Sequence, residues 1–233
     1  MNIAYLPAKE HSERFPGKNW KPLWQGVSLV QHAINTISQC DSIDEIILDT
    51  DHPDPPVDAM GKPLRCWRRP EHLRGHEVEI EQLIPFFLLP RAASTDKDRI
   101  SNICLVQATN PWTTPLNIDA GYLLLQGARK TPRYQSVVST ASLAKYSWAS
   151  TDGELPWPDN YPMGTPPLRH RHEKETTVEN GAFYWATRAQ WMRQNRVSYQ
   201  KTMVYEMAWY TMLEIDTPTD LAVALAVRGV VHA

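Results

Sequence analysis

At 233 residues the chain has room for one domain with a real core, or for one domain carrying an inserted excursion. Hydrophobic residues make up 42%, charged residues 21%, and the formal net charge is −2, which excludes nucleic-acid binding through bulk phosphate neutralisation. Three well-separated cysteines, Cys40, Cys66 and Cys104, argue against a disulfide framework or a Cys-rich zinc site and fit a reducing, cytoplasmic setting. The first apolar run stops at Pro7 and no run approaches about 18 apolar residues, so neither a signal peptide nor a membrane span is expected.

Residues 2–7 read as a short buried strand, followed by a polar, cation-bearing loop from Ala8 to Asn19. Leu29, Val30, Ala33, Ile34 and Ile37 have the spacing of an amphipathic helix over 28–39, capped by Ser28. A second strand covers 45–50 and a third 63–68. Ile80, Leu83, Ile84 and Phe87 carry a helical period that Pro85 and Pro90 limit. Next come a strand over 100–107, broken by Thr109-Asn110-Pro111, a helix over 116–127 and a strand over 134–140. Strand and helix patterns alternate, which predicts an α/β domain with a doubly wound, mostly parallel sheet. Ligands gather at the carboxyl ends of such strands, so the polar residues after Leu6, Leu48 and Val106 are expected on one rim.

Residues 150–180 break this rhythm with Pro156, Pro158, Pro162, Pro166 and Pro167. A structureless loop of that length sits poorly inside a compact domain, and the segment reads as an excursion toward a partner subunit. A strand resumes at 181–187. The block Met212 to Asp220 reads as a strand entering a helix, with Thr217 as N-cap, Pro218 at the first helical position and Asp220 opposing the helix dipole.

Two patterns carry chemistry. The loop after the first strand offers Lys9, Ser12, Arg14, Lys18 and Asn19, and Pro16-Gly17 turns the chain between them. A triphosphate needs such converging cations and N–H groups, although scattered charge is also what a solvated loop shows. No Walker P-loop is present. Near the C-terminus, Glu214 and Asp216 stand two apart, so alternation along a strand would aim both carboxylates at one hard cation; a polar strand end is the alternative. The pairs His72/His76 and His170/His172 invite a metal reading, but no Glu follows His72 to complete the hydrolase motif and His170/His172 offers only two ligands without a carboxylate set.

The cation loop resembles the Pro-Ala-Arg-Gly-Gly-Ser-Lys-Arg-x-Pro-x-Lys-Asn signature of the CMP-sialic acid synthetase (N-acylneuraminate or nonulosonate cytidylyltransferase) family. Five further blocks follow in that family's order: Leu48-Asp-Thr-Asp51, Arg69-Pro70-Glu71, Val106-Gln-Ala-Thr-Asn-Pro111, Glu179-Asn-Gly-Ala-Phe-Tyr184 and Glu214-Ile-Asp-Thr-Pro-Thr-Asp220. The Phe183-Tyr-Trp185 run has features of the pseudaminic acid branch. The resemblance implies a Rossmann-like sheet of the nucleotide-diphospho-sugar transferase type, as a single cytidylyltransferase domain over 1–233. A dimerisation and sugar-site excursion is implied over 145–180.

It further implies that Lys9, Ser12, Arg14 and Lys18 hold the CTP phosphates, and Asn19 and Arg69 the ribose and cytosine. Gln107, Asn180 and Tyr184 would face the sugar, with Arg169 and Arg171 holding its carboxylate. Asp216 and Glu214 would bind Mg²⁺, and Lys18 and Asp216 would be central to transfer. The expected partners are CTP, an acidic sugar and a second copy of the chain. Lys9 replaces the family's first arginine, Glu10-His11 its Gly-Gly pair and Glu13 a cation, while His76 and Val178 also depart from its pattern. Another acid acceptor (an eight-carbon ulosonate or a phosphonate) and a non-catalytic dimeric relative are therefore the alternatives.

Overall fold

The computed structural model describes residues 1–59, 61–75, 78–84, 100–128, 134–143, 148–150, 156–159, 176–193 and 201–231. Strands β1 (Asn2–Ala8), β2 (Glu45–Thr50), β3 (Leu64–Arg68), β4 (Asn102–Val106), β5 (Ser136–Leu143), β8 (Thr176–Thr187) and β9 (Thr202–Met207) form one sheet in the order β3-β2-β1-β4-β8-β5-β9. Strands β6 (Trp148–Ala149) and β7 (Trp157–Pro158) make a separate antiparallel ladder within the proline-rich stretch. In the main sheet only β8 runs against its neighbours, β4 and β5; all other pairs are parallel.

Alternation settles which way each strand residue faces. Ala4, Leu6 and Ala8 of β1 and Cys104 and Val106 of β4 pack on one side, while Ile3, Tyr5, Ile103 and Leu105 pack on the other. Burial on both faces explains why these strands read as continuous apolar runs. Helices α1 (Leu29–Ser38), α3 (Pro115–Ala128) and α5 (Pro218–Val231) supply residues to the first side, and α2 (Ile80–Leu83) and α4 (Arg188–Trp191) to the second. This is the doubly wound, mostly parallel α/β architecture that the sequence predicts.

Helix α1 forms where expected. Ser28 accepts the Gln31 N–H at its start, and Leu29, Val30, Ile34 and Ile37 are buried, each side chain contributing about 1.5–3 kcal/mol over exposure. Helix α5 also begins as predicted. Thr217 Oγ1 accepts the Asp220 N–H (3.2 Å), and the Asp220 carboxylate accepts the N–H groups of Thr217 (2.7 Å) and Asp216 (3.1 Å). Among the described residues no helix is long and apolar enough to cross a membrane.

Three elements differ from expectation: the strand expected over 181–187 begins already at Thr176, within the segment read as an excursion. The strand predicted over Met212–Asp216 is absent, because Trp209–Met212 is a 3₁₀ turn and 213–216 is irregular. Strand β9 stands instead at Thr202–Met207, at the edge of the sheet; the sequence reading assigned nothing there.

The pairing of β5 with β8 also slips. Val138 faces Tyr184, whereas Thr140 faces Glu179, so residues 180–183 bulge out opposite the single residue Ser139. Ser139 is fully buried, and its hydroxyl both accepts the Phe183 N–H (2.9 Å) and donates to the Phe183 carbonyl (2.9 Å). Within this bulge Gly181 has φ +64°, a conformation that side-chain-bearing residues resist.

Candidate functional site

The carboxyl ends of β1, β2 and β4 lie side by side, as parallel pairing requires, and the chain leaves β1 directly into the cation loop. Phe15 to Lys18 closes a tight turn, with the Lys18 N–H on the Phe15 carbonyl (3.1 Å) and Gly17 at φ +74° after Pro16. The Lys9 carbonyl braces the loop by accepting from Asn19 Nδ2 (3.0 Å) and Trp20 Nε1 (3.2 Å). From just past the end of β2, Asp51 Oδ1 accepts the Glu10 N–H (2.6 Å). A loop that would otherwise be solvated chain is thereby given one shape.

A cleft of about 430 Å³ opens beside this loop, and Lys9, Ser12, Arg14, Lys18, Asn19 and Arg69 all line it, with Glu13 and Thr109. These are the residues that the sequence singles out for a nucleotide. Lys9 Nζ donates to the Gly75 carbonyl (2.8 Å), and burial, reinforced by the nearby Arg69 charge, lowers the Lys9 pKa below its ordinary value. Asn19 is buried, and its Oδ1 has no hydrogen-bond partner. A buried acceptor left open beside a cleft suits a ligand N–H or O–H.

The far end of the loop meets the C-terminal segment. Lys18 Nζ, on a buried side chain, bonds the Asp216 carboxylate and the Ile215 carbonyl (3.1 Å), while Arg14 Nη2 reaches Asp216 Oδ2 at 2.7 Å. Positions almost 200 residues apart thus share one ion cluster. Ile215 is buried and its N–H donates to the Thr109 carbonyl (2.8 Å). Thr109 Oγ1 also donates to Glu214 Oε2 (3.2 Å). Anchorage of Ile215, not strand alternation, is what brings Glu214 and Asp216 to the border of one cavity, about 460 Å³ in volume, shared with Arg14, Thr217 and Asp220.

Burial raises the Glu214 pKa above its ordinary value, and the Asp216 charge adds to that, against the lowering effect of the Thr109 hydrogen bond. Gly181 explains how the Glu214 carboxylate is accommodated: a Cβ built at Gly181 would overlap it. The bulge in β8 therefore shapes the wall behind Glu214.

Among the described residues no cluster of three or more His, Cys, Asp or Glu side chains is placed to hold a metal. Glu214 and Asp216 nevertheless fit Mg²⁺ in donor type and number, since that ion takes one or two carboxylates and completes its shell with phosphate and water oxygens. Both oxygens of Asp216 are engaged by Arg14 and Lys18 in this structure.

Of the residues expected at the sugar, those described lie away from the cation-lined cleft. Asn180 is buried, and its amide donates to Thr211 Oγ1 (2.7 Å) and Met207 Sδ (3.2 Å), so it ties β8 to the 3₁₀ turn after β9. Tyr184 is buried in the second core cluster with its hydroxyl on Glu179 (3.0 Å). Neither side chain borders the cation-lined cleft. Gln107 is half-buried at the end of β4, its N–H on the Ala182 carbonyl (3.2 Å). Arg169, Arg171, His170, His172 and His76 lie outside the described residues, as does most of the 145–180 excursion.

Sequence reasoning passed over Thr109 as a supporting group and Asp49 as a partner of Arg69. Arg69 is buried with Nε on both Asp49 oxygens (3.1 and 3.0 Å) and Nη2 on Oδ2 (2.8 Å), and Tyr5 donates to the same carboxylate. The available signal was a charged residue, Asp49, directly after the apolar run Ile46-Ile-Leu48 of a buried strand.

Comparisons with known proteins bear on the family and the fold. The family model described as cytidylyltransferase matches residues 3–121, just over half the chain. N-acylneuraminate cytidylyltransferase B of Danio rerio is 26% identical over 236 residues, covering 95% of this chain and 50% of that protein. The chain thus spans about half the length of this curated relative.

Among solved structures, that of CMP:2-keto-3-deoxy-manno-octonic acid synthetase complexed with CTP is 18% identical, with a TM-score of 0.58 and 98% of both chains covered. The 4-diphosphocytidyl-2C-methyl-D-erythritol synthase of Anaerococcus prevotii is 13% identical, with a TM-score of 0.61 and 98% and 96% covered. These two show a shared fold. Fold, motif order and family match converge: the chain belongs to the cytidylyltransferase family.

Proposed function

We propose that this chain transfers CMP from CTP to the anomeric hydroxyl of a nonulosonic acid of the sialic acid type, releasing pyrophosphate. The observation that carries this reading is the meeting of Lys18 and Arg14 with Asp216, where the cation-lined cleft borders the carboxylate-lined cavity. Phosphoryl transfer asks a protein mainly for positioning and charge neutralisation. Lys9 and Ser12 hold the outer phosphates; Lys18 and Arg14 turn from Asp216 to the oxygens around the α-phosphorus. Asn19 and Arg69 hold the nucleoside end.

Glu214 and Asp216 would hold Mg²⁺, which when bound would neutralise charge on the phosphoryl oxygens. The sugar hydroxyl attacks in line with the departing pyrophosphate. Because the acceptor is itself an anion, its carboxylate needs cations separate from those on the triphosphate. Arg169 and Arg171 are assigned that role, Gln107 lies at the rim beside the acceptor, and a second copy of the chain contributes through the 145–180 excursion.

An eight-carbon ulosonate is the second reading, motivated by the fold likeness to the octonic acid synthetase. A relative without turnover is the third, motivated by the Glu13 carboxylate in the cleft. Purified protein given CTP, Mg²⁺ and a panel of nine-carbon and eight-carbon acids and phosphonates should release pyrophosphate fastest with a nine-carbon acid. Faster release with an eight-carbon acid would transfer the assignment to the second reading. No release, together with no CTP binding by calorimetry, would leave only the third.

A further inference from the structure

Arg69 poses a chemical question that its place in the cleft does not answer. An arginine in a triphosphate site ordinarily serves as a cation, yet this one already has a buried counter-charge. Its Nε and Nη2 are spent on Asp49, and its Nη2 also approaches the Asp49 main-chain carbonyl (3.5 Å). Asp49 is completely buried, so the pairing is not diluted by water. Tyr5, one strand away on β1 and equally buried, donates its hydroxyl to Asp49 Oδ2. Burial, with the Asp49 charge behind it, keeps that phenol protonated and therefore able to donate. Among the described residues nothing is bonded to Nη1, while Arg69 as a whole borders the cleft.

We propose that Tyr5 and Asp49 are positioning residues that fix Arg69 as a directional, charge-compensated donor to the uncharged nucleoside end of the ligand. The Tyr5–Asp49–Arg69 chain crosses from β1 through the end of β2 to the residue just after β3, so the donor's direction is set by the sheet itself. A guanidinium clamped at two of its nitrogens has one edge left, which suits an acceptor on a base or ribose. The phosphates meet instead Lys9, Lys18 and Arg14, none of which has a wholly buried carboxylate partner. This inference rests on the CTP reading above and adds which two residues, neither touching nucleotide, govern its affinity.

The test compares CTP with inorganic tripolyphosphate, which has the phosphates and lacks the nucleoside, by titration calorimetry on the wild-type chain, Tyr5→Phe and Asp49→Asn. Tyr5→Phe removes a single hydroxyl and serves where Asp49→Asn fails to fold, as thermal melting would reveal. Loss of one charge-assisted contact is expected to weaken CTP binding about tenfold in Asp49→Asn and about threefold in Tyr5→Phe. Tripolyphosphate affinity should stay unchanged or tighten in both. A parallel fall for the two ligands would make Arg69 a phosphate cation, and no fall for CTP would make the Tyr5–Asp49 pair purely structural; either overturns the proposal. Wild-type protein that binds tripolyphosphate but not CTP would instead sink the cytidylyl-transfer reading, and this inference with it.

Discussion

The two cavities that meet at Arg14 are built on opposite terms. The first is walled by a loop whose cations are held apart by main-chain contacts, such as Lys9 on Gly75 and Lys18 on Ile215. The second is walled by carboxylates, Glu214, Asp216 and Asp220, on a segment anchored through Thr109. One attracts an anionic ligand directly. The other presents like charges that repel one another until a cation is shared between them, and here Lys18 and Arg14 perform that service for Asp216. The difference teaches that the cations beside Asp216 are already occupied: on the proposed function they would be a reserve that a triphosphate competes for, with Mg²⁺ replacing them on the carboxylate.

That contrast can be broken in stages. Lys18 bridges the two sides, so Lys18→Ala should lower turnover about a thousandfold, the scale seen when one charge-stabilising group is removed from a transfer site. Turnover within tenfold of wild type in a pyrophosphate-release assay would remove Lys18 from the chemistry. Gly181→Ala tests the acidic side alone. Positive φ strain and overlap with the Glu214 carboxylate should together cost about 3 kcal/mol in chemical denaturation, and activity should fall with displacement of Glu214. An unchanged midpoint would mean that the bulge does not constrain that side chain.

The smallest effect sharpens the basic side. Burial lowers the Lys9 pKa, and the protonated amine is the form that attracts phosphate. CTP affinity should therefore be full below that lowered value and decline as pH rises through it, earlier than for an ordinary lysine at 10.5. Lys9→Arg keeps its charge throughout the range and should shift the alkaline limb of the affinity profile upward. Coincident limbs in the two proteins would assign the decline to another group.

The first half of the chain was legible because its signals are local. Ser28 caps a helix whose apolar stripe is five residues long, and strands buried on both faces read as apolar runs. The cation loop was legible for the same reason, since all its members follow one strand. The C-terminal site was not, in its geometry. Spacing suggested a strand for Glu214 and Asp216, but the conformation there is set by a long-range bond from Ile215 to Thr109. No periodicity reports such a bond.

Asn180 and Tyr184 illustrate a second limit. A polar side chain looks the same in sequence whether or not it ties two elements together, and here Thr211 and Glu179 receive those of Asn180 and Tyr184. Strand β9 had its alternation in Met203, Tyr205 and Met207, but an edge strand with Val204 outward gives a weaker contrast than a central one.

Ser139 carries a consequence for how the molecule moves. Where a strand gains extra residues, the usual result is a soft spot through which the sheet opens and its amides exchange with solvent. Here a hydroxyl substitutes for the missing rung at Phe183 on both its N–H and its carbonyl. The Phe183 amide should therefore exchange as slowly as its regular neighbours. On that expectation the wall behind Glu214 is already ordered in the free protein, and a ligand bound in the adjoining cavity would not have to order it.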